Sequence, residues 1–457
     1  MPSTLALVLT ILFVLFLFKW DAKEGYRASF ALWIPSIWLL ILGSRGISQW
    51  LTPGDASQSG DAAAAMMEGS PLDRQIFIFL IVAGMVVLLR RRISWTRVVR
   101  ENPWLALYFL YCGISILWSD YPFISLKRWL KALGDPIMAL VVVTESNPVR
   151  AVETIIKRCG YILLPFSILL IRYYPHLGRH FEFYSGDMSY TGVTLDKNML
   201  GFQCMVVGLF AVYRLYVWRT QKNELRKTSG LFLAVALLSM SQWLLWTANS
   251  KTPTISLIVG ILIITALALP TVRQHISGFL VGAILIFGIL ELSIGLTTLI
   301  ITSAGRDPTL TGRTELWEIF LSMDFNYWVG HGFESFWLGD RLKKLWDMYF
   351  FKPIEAHNGY IEVYLNLGLI GLFLFGGVLY SSYNHIRKML AVALGPELAE
   401  RLVYDRFRLA YFLAYLIYNI SEAGFRSLSF VFVMFIILNI RYPQSQRPAH
   451  QPSSTNL

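Results

Sequence analysis

Apolar runs of membrane-crossing length recur from one end of this 457-residue chain to the other. A hydrocarbon core takes about 20 residues as a helix, and a backbone crossing it must satisfy its own hydrogen bonds. The runs fall at 4–18, 28–43, 75–89, 103–118, 129–144, 159–174, 198–218, 229–247, 254–270, 277–301, 359–383, 409–421 and 427–440. The fold that follows is an all-α, polytopic integral membrane helix bundle of about 12–13 transmembrane helices. Composition agrees. Only 15% of residues are charged, and mean hydropathy is +0.52, whereas soluble chains carry about 25% charged residues. A cytosolic enzyme, a disordered scaffold and a nucleic-acid-binding domain are excluded. Cys112, Cys159 and Cys204 sit inside apolar runs without metal-ligand spacing, and read as packing residues.

The net charge of +11 is what basic loops on one side of a bilayer give. Alternate loops divide accordingly. Lys19 and Lys23, Arg90 to Arg92, Arg150, Lys157 and Arg158, Arg219 and Arg226, and Arg387 to Arg408 form the richer set, which is assigned to the cytoplasm. The opposite set includes Arg45, Lys127, Arg128, Lys197, Lys251, Arg313 and Arg426. The chain then divides into N-terminal spans over 1–301, a large outer loop over 302–358, C-terminal spans over 359–440 and a cytoplasmic tail over 441–457. The large loop is too long for a connector and is expected to fold, with helices over 314–323 and 333–347. Residues 44–74 read as a flexible tether, and 384–408 as a basic amphipathic helix on the membrane surface.

The loops contain no Gly-rich phosphate cradle and no clustered His/Cys/carboxylate metal signature. Chemistry is expected on the outer face, with no ATP, no cofactor and no metal. In Glu355-Ala-His-Asn-Gly-Tyr360 a His-Asn pair stands where the large loop meets the next span. A neutral His357 there is placed to act as a general base; the alternative is a helix-start anchor among the headgroups. Thr311-Gly-Arg-Thr-Glu-Leu-Trp317 presents Arg313 as a bidentate phosphate grip, or as a surface partner of Glu315 or Glu318. Val329-Gly-His-Gly-Phe333 reads as a tight turn, with His331 as a second candidate base. Gly192-Val-Thr-Leu-Asp-Lys-Asn-Met-Leu-Gly201 and Ser250-Lys-Thr-Pro253 put Lys197, Asn198 and Lys251 at the outer rim, where headgroup snorkelling is the alternative. Lys127 and Lys131 are one helical turn apart, and with Arg128 they form a phosphate-facing rim or a set of anchors. Gly134-Asp135-Pro136 predicts a broken helix, and Glu291 an intramembrane carboxyl facing the bundle interior, either functional or structural.

The order Lys-Asn-x-Leu-Gly, Ser-Lys-Thr, Gly-Arg-Thr-x-Leu-Trp, Gly-x-Gly-Phe and His-Asn-x-Tyr resembles the O-antigen ligase and Wzy-type polysaccharide polymerase family, within it the ExoQ type of exopolysaccharide polymerase. The motifs lie within about 190–372, on one membrane face. The resemblance implies a bacterial inner-membrane glycosyltransferase. It would move an undecaprenyl-pyrophosphate-linked oligosaccharide to an acceptor hydroxyl on the periplasmic side, with the lipid bilayer, a chain-length regulator and export machinery as partners and no nucleic acid. It implies His357 and Arg313 as catalytic residues. Lys251 stands where ligases often carry arginine. Around them Lys197, Asn198, Arg128, Lys131, Asn358 and Tyr360 are the candidate contacts to pyrophosphate and glycan. Without a glycosidase-like carboxylate pair, a single inverting displacement is expected. The alternatives are a ligase acting on lipid A core and a polysaccharide or lipid transporter.

Overall fold

The computed structural model describes residues 1–26, 28–51, 69–181, 188–221, 226–294, 313–323, 326–349, 352–392 and 399–442. Among the described residues, each apolar run falls on one helix or on two in succession. Among the described residues, sixteen helices have ten or more residues: α1 (Ser3–Ala22), α2 (Trp33–Leu42), α3 (Pro71–Arg90), α4 (Pro103–Ile114), α5 (Pro122–Ala132), α6 (Gly134–Val143), α7 (Pro148–Tyr173), α8 (Lys197–Thr220), α9 (Thr228–Ala248), α10 (Lys251–Ala266), α11 (Ile276–Ile294), α12 (Arg313–Ser322), α13 (Gly339–Met348), α14 (Gly359–Val392), α15 (Ala399–Tyr418) and α16 (Phe430–Asn439). Seven of them (α1, α3, α7, α8, α9, α11 and α14) are long and apolar enough to cross a membrane. The chain is a multi-pass membrane protein.

Local chemistry starts the helices where they start. Proline opens α3, α4, α5 and α7, where its missing N–H costs nothing. Side chains of Ser70, Asn147, Asp196 and Ser429 accept from backbone N–H groups in the first turns of α3, α7, α8 and α16. At the centre, α8 packs against α9, α10 and α15, and most of its side chains are buried. The three cysteines are free and buried.

The two sets of basic residues separate to opposite ends of the bundle. At one end Lys157 meets Asp21 at 2.7 Å and also Glu24, while Arg214 bridges Glu24 (2.9 Å) and Glu153 (3.1 Å). Arg150 reaches Glu400 at 2.6 Å, and Arg91 pairs with Glu145. At the other end Arg45 donates to the carbonyls of Leu177 and Gly192, and Arg341 pairs with Asp120 at 2.7 Å. Lys157 and Arg158 lie inside α7 rather than in a loop.

Several expectations change. The run 129–144 is two helices, α5 and α6, meeting at Leu133. The side chain of Asp135 lies buried just beyond the break, accepting from Trp38 Nε1 (3.2 Å) and from the Leu428 N–H (2.9 Å). Segment 384–408 is no surface helix. Residues up to 392 prolong α14, and 399–408 open α15, where Asp405, Arg406 and Arg408 are buried. A helix that must pack on both flanks leaves those arginines no route to water, so they donate to the backbone carbonyls of Ile264 and Leu438. Glu291 lies in the last described turn of α11, a helix exposed along nearly all its length, instead of facing a packed interior. Within 44–74, residues Ile47–Leu51 are helical and α3 begins at Pro71; 52–68 lie outside the described residues. The loop after α7 contains a short antiparallel pair, β1 (Arg179–Phe181) and β2 (Met188–Tyr190).

The large loop does fold. Leu316, Phe320, Phe336, Trp337, Leu342 and Leu345 form a small core of their own. Helix α12 matches the expectation for 314–323, whereas α13 begins only at Gly339. Residues 302–312 lie outside the described residues. Between these helices, 326–332 runs along a break in α14. His331 N–H donates to the Leu365 carbonyl (3.2 Å) and Gly332 N–H to Asn366 (2.8 Å), while the N–H groups of Leu369 and Ile370 donate back to Tyr327 (2.9 Å) and Trp328 (3.1 Å). Two glycines permit this contact. Gly368 has φ +63° and a Cβ there would lie 2.4 Å from the Trp328 carbonyl carbon; Gly330 has φ +68° and its Cβ would lie 2.6 Å from that of Asn366.

Candidate active site at the loop end of the bundle

The loop joining α15 to α16 draws the start of α14 toward it. Gly359 N–H donates to the Asn419 carbonyl at 2.9 Å, and Asn358 Nδ2 to the Ile420 carbonyl at 2.9 Å. The Asn358 carboxamide oxygen accepts from Tyr360 N–H (2.9 Å) and Ile361 N–H (3.1 Å), capping α14. Tyr360 donates its hydroxyl to the Leu416 carbonyl at 3.2 Å and packs edge-on against Phe425. Behind them the Glu362 carboxylate receives Trp337 Nε1 (2.7 Å) and Ala356 N–H (2.9 Å), and Trp317 Nε1 donates to the Ala356 carbonyl (2.7 Å). Held on both sides, His357 adopts φ +47°. A left-handed conformation at a non-glycine residue is strained and persists only where its surroundings enforce it.

Around His357 stand charges from four segments. Its Nδ1 lies 3.0 Å from Glu355 and 3.7 Å from Glu422. Arg313, at the start of α12, pairs with the other Glu422 oxygen at 3.2 Å and donates to the Ser421 carbonyl. Arg426 meets Glu334 at 3.3 Å and Glu355 at 3.8 Å. The Glu422 carboxylate is 6% exposed, while the imidazole is 33% exposed and accessible. Burial opposes charge on both His357 and Glu355, but their attraction outweighs it. Together with the Glu422 carboxylate, Glu355 pushes His357 up to about 10. The imidazolium, Arg426 and Arg313 hold Glu355 down at about 2. Near neutral pH His357 is therefore a cation between two carboxylates.

Sequence reasoning named His357 and Arg313, and the structure brings them together on Glu422. Lys251 and Asn198 are on the neighbouring side: Ser250 donates to the Asn198 oxygen at 2.7 Å, and Thr252 shares a 2.7 Å hydrogen bond with Ser421. Lys251 makes no ion pair among the described residues. Lys197 opens α8 beside Asn198. Arg128 and Lys131 lie apart, on α5, where Arg128 donates to the Glu334 carbonyl at 2.6 Å. Asn358 and Tyr360 are committed to the backbone and hold the corner together. Sequence reasoning missed Glu422 and Arg426. The polar stretch Asn419-Ile-Ser-Glu-Ala-Gly-Phe-Arg426, between two strongly apolar runs, was their available signal.

Glu355, His357 and Glu422 also place one ligand atom each within 4.8 Å of one another, a spacing open to a metal ion. A divalent cation there would have to displace the Arg426 and Arg313 contacts and take the place of the imidazole's proton.

Comparison with known proteins points the same way as the motifs. Residues 233–376 match the model of the O-antigen ligase family, Wzy_C, the family named from the motifs. That segment contains Lys251, Arg313, His357, Asn358 and Tyr360. The chain is also similar to the exopolysaccharide production protein ExoQ of Rhizobium meliloti (strain 1021). The two are 25% identical over 303 residues, which cover 64% of this chain and 67% of the relative.

Proposed function

We propose that this chain polymerises undecaprenyl-pyrophosphate-linked oligosaccharide repeat units on the periplasmic face of a bacterial inner membrane, by an inverting, metal-independent glycosyl transfer. The observation that carries this reading is the convergence of Arg313 and His357 on Glu422, beside an accessible imidazole. The similarity to an exopolysaccharide production protein supports a polymer as product.

The acceptor hydroxyl attacks the anomeric carbon of the donor. The bond from that carbon to the phosphate oxygen breaks, and undecaprenyl pyrophosphate leaves with the electron pair. Arg313, the imidazolium of His357 and Lys251 offset the charge that develops on the leaving group. The donor is already activated, so no nucleotide is needed. A free imidazole would be the stronger base, but His357 holds its proton between Glu355 and Glu422. The proton of the acceptor hydroxyl therefore passes to Glu422, late in the reaction, when bond cleavage has made the hydroxyl acidic enough for a carboxylate. Asn358 and Tyr360 position His357, and Lys197 and Asn198 contact the glycan.

The test is the purified full-length protein with a native undecaprenyl-pyrophosphate-linked repeat unit, in EDTA and without nucleotide. A ladder of polymers with the anomeric configuration opposite to the donor's is expected. Transfer only after lipid A core is added would establish a ligase, and movement of substrate across liposomes without transfer would establish a transporter.

A further inference from the structure

On the far side of Glu355 from His357 lies a cavity of about 850 Å³. It is two-faced. Phe77, Ile78, Ile81 and Val82 of α3 and Leu130 of α5 make an apolar wall. Ile78, Val82 and Leu130 are 54%, 55% and 52% exposed, so the wall opens sideways where a membrane's hydrocarbon would lie. The other end is ionic. Five cations line it, Arg74, Lys127, Arg128, Lys131 and Arg426. Three carboxylates face them, Asp73, Glu334 and Glu355. The formal excess is two positive charges, the complement of a pyrophosphate diester.

The carboxylates are already engaged. Asp73 accepts from Ser48 N–H (3.1 Å) and hydroxyl (2.6 Å), and Arg426 reaches both Glu334 and Glu355. Lys131 has no ion pair among the described residues. Its ammonium stands 4.0 Å from the Phe77 ring centroid, at the seam between the apolar wall and the ionic end. By contrast, the cavity at the opposite end of the bundle has three cations, Arg150, Lys157 and Arg158, against Asp21, Glu24 and Glu153, with no charge left for an anion.

Arg313, Lys251 and Glu422 do not line the larger cavity. Glu355 divides the two places, touching His357 at 3.0 Å and Arg426 at 3.8 Å. We infer that this cavity seats a second polyprenyl pyrophosphate, that of a lipid-linked acceptor, with Lys131 and Arg128 on the pyrophosphate and the α3 face along the first isoprene units. The inference rests on the proposed transfer for the identity of the lipid. A transfer between two carrier-borne chains needs two anionic seats flanking one reacting corner, whereas transfer to an acceptor without a pyrophosphate needs one.

The experiment is native mass spectrometry of the full-length protein titrated with undecaprenyl pyrophosphate bearing no glycan, in the presence of excess phosphatidylglycerol. The wild type is expected to bind two equivalents. Lys131→Gln with Arg128→Gln should weaken one of them tenfold or more, Lys131→Arg should retain it, and Arg313→Gln should weaken only the other. A single equivalent in the wild type, loss of both through Arg313→Gln alone, or displacement of the second by phosphatidylglycerol would overturn the inference. Monodispersity and thermal stability of each variant separate loss of binding from loss of fold. Turnover is not needed for this readout. Two bound equivalents without a polymer ladder would count against the proposed reaction while leaving the seat intact, and a ladder with one equivalent would count against the seat alone.

Discussion

Replacing Glu355 by glutamine turns the charge of His357 into a measurable quantity. In the wild type an imidazole with a pKa of about 10 is neutral in about one molecule per thousand at pH 7. The transfer rate should then be flat from about pH 6 to 9, with no inflection near the ordinary histidine value. Glutamine removes the strongest attraction on the imidazolium, the carboxylate 3.0 Å from Nδ1, but leaves Glu422 at 3.7 Å. Water reaching a ring 33% exposed screens part of what remains. The pKa should fall to a value between about 6.5 and about 10. If the cation is the active form, the variant should be most active below that value. Its rate should then drop about tenfold for each pH unit above it. The assay is the initial rate of lipid-linked glycan transfer from pH 5.5 to 9.5, with the imidazole followed in parallel by its ring-proton NMR shifts in labelled protein. A variant whose rate rises with pH through the inflection would mean that the neutral imidazole is the working form, and would refute the assignment of the proton to Glu422.

The same pair makes stability depend on pH. Because the folded pKa of His357 is raised, its contribution is full below the unfolded value of ~6.5 and is lost as pH rises through about 10; thermal unfolding of the wild type in detergent should shift downward over that range, and His357→Gln should flatten the shift. Arg313→Lys keeps the charge but cannot hold Ser421 and Glu422 together in one fork, so transfer should fall about 10–100-fold at unchanged membrane insertion, while Arg313→Ala should abolish it; wild-type polymer from a stable Arg313→Ala protein would remove the residue from the site. Gly368→Ala places a methyl 2.4 Å from the Trp328 carbonyl carbon at φ +63°, and should cost about 1–3 kcal/mol or more, read as a lowered Tm together with loop proteolysis near 326–332. Trp337→Phe removes the 2.7 Å donor to the buried Glu362 but leaves Asn366 Nδ2 on the same oxygen at 3.2 Å, a loss of about 1 kcal/mol that thermal unfolding would register.

The spans were legible because the bilayer allows a chain few solutions: an apolar run of the right length is a helix wherever it lies. Runs 198–218 and 229–247 became α8 and α9 with almost the same ends. Segment 384–408 misled because its many cations suit either a surface or a buried helix whose arginines bond to carbonyls, as Arg406 and Arg408 do. The site was half legible. His357 and Arg313 stand in polar motifs at the edge of apolar runs, where cations are conspicuous. Glu422 and Arg426 also stand between apolar runs, but their importance comes from long steps back along the chain, Glu422 to Arg313 across 109 residues and Arg426 to Glu334 across 92. No local pattern shows those steps. The charge on His357 was illegible for the same reason, since one of its two carboxylates is supplied by a different turn of the chain.

The strip of loop that runs along the break in α14 sets an order of biogenesis. Residues 326–332 leave the ribosome before 359–392, yet their backbone completes the hydrogen bonding of Leu365, Asn366, Leu369 and Ile370. An open carbonyl or amide in hydrocarbon is costly, so α14 cannot settle as a continuous segment when it first enters the bilayer. It pairs with a segment made before it. The corner then closes only when the turn carrying Ser421 and Glu422 arrives, after nearly the whole chain has been inserted. A chain made only as far as α14 thus has Arg313 and His357 without the carboxylate on which they converge.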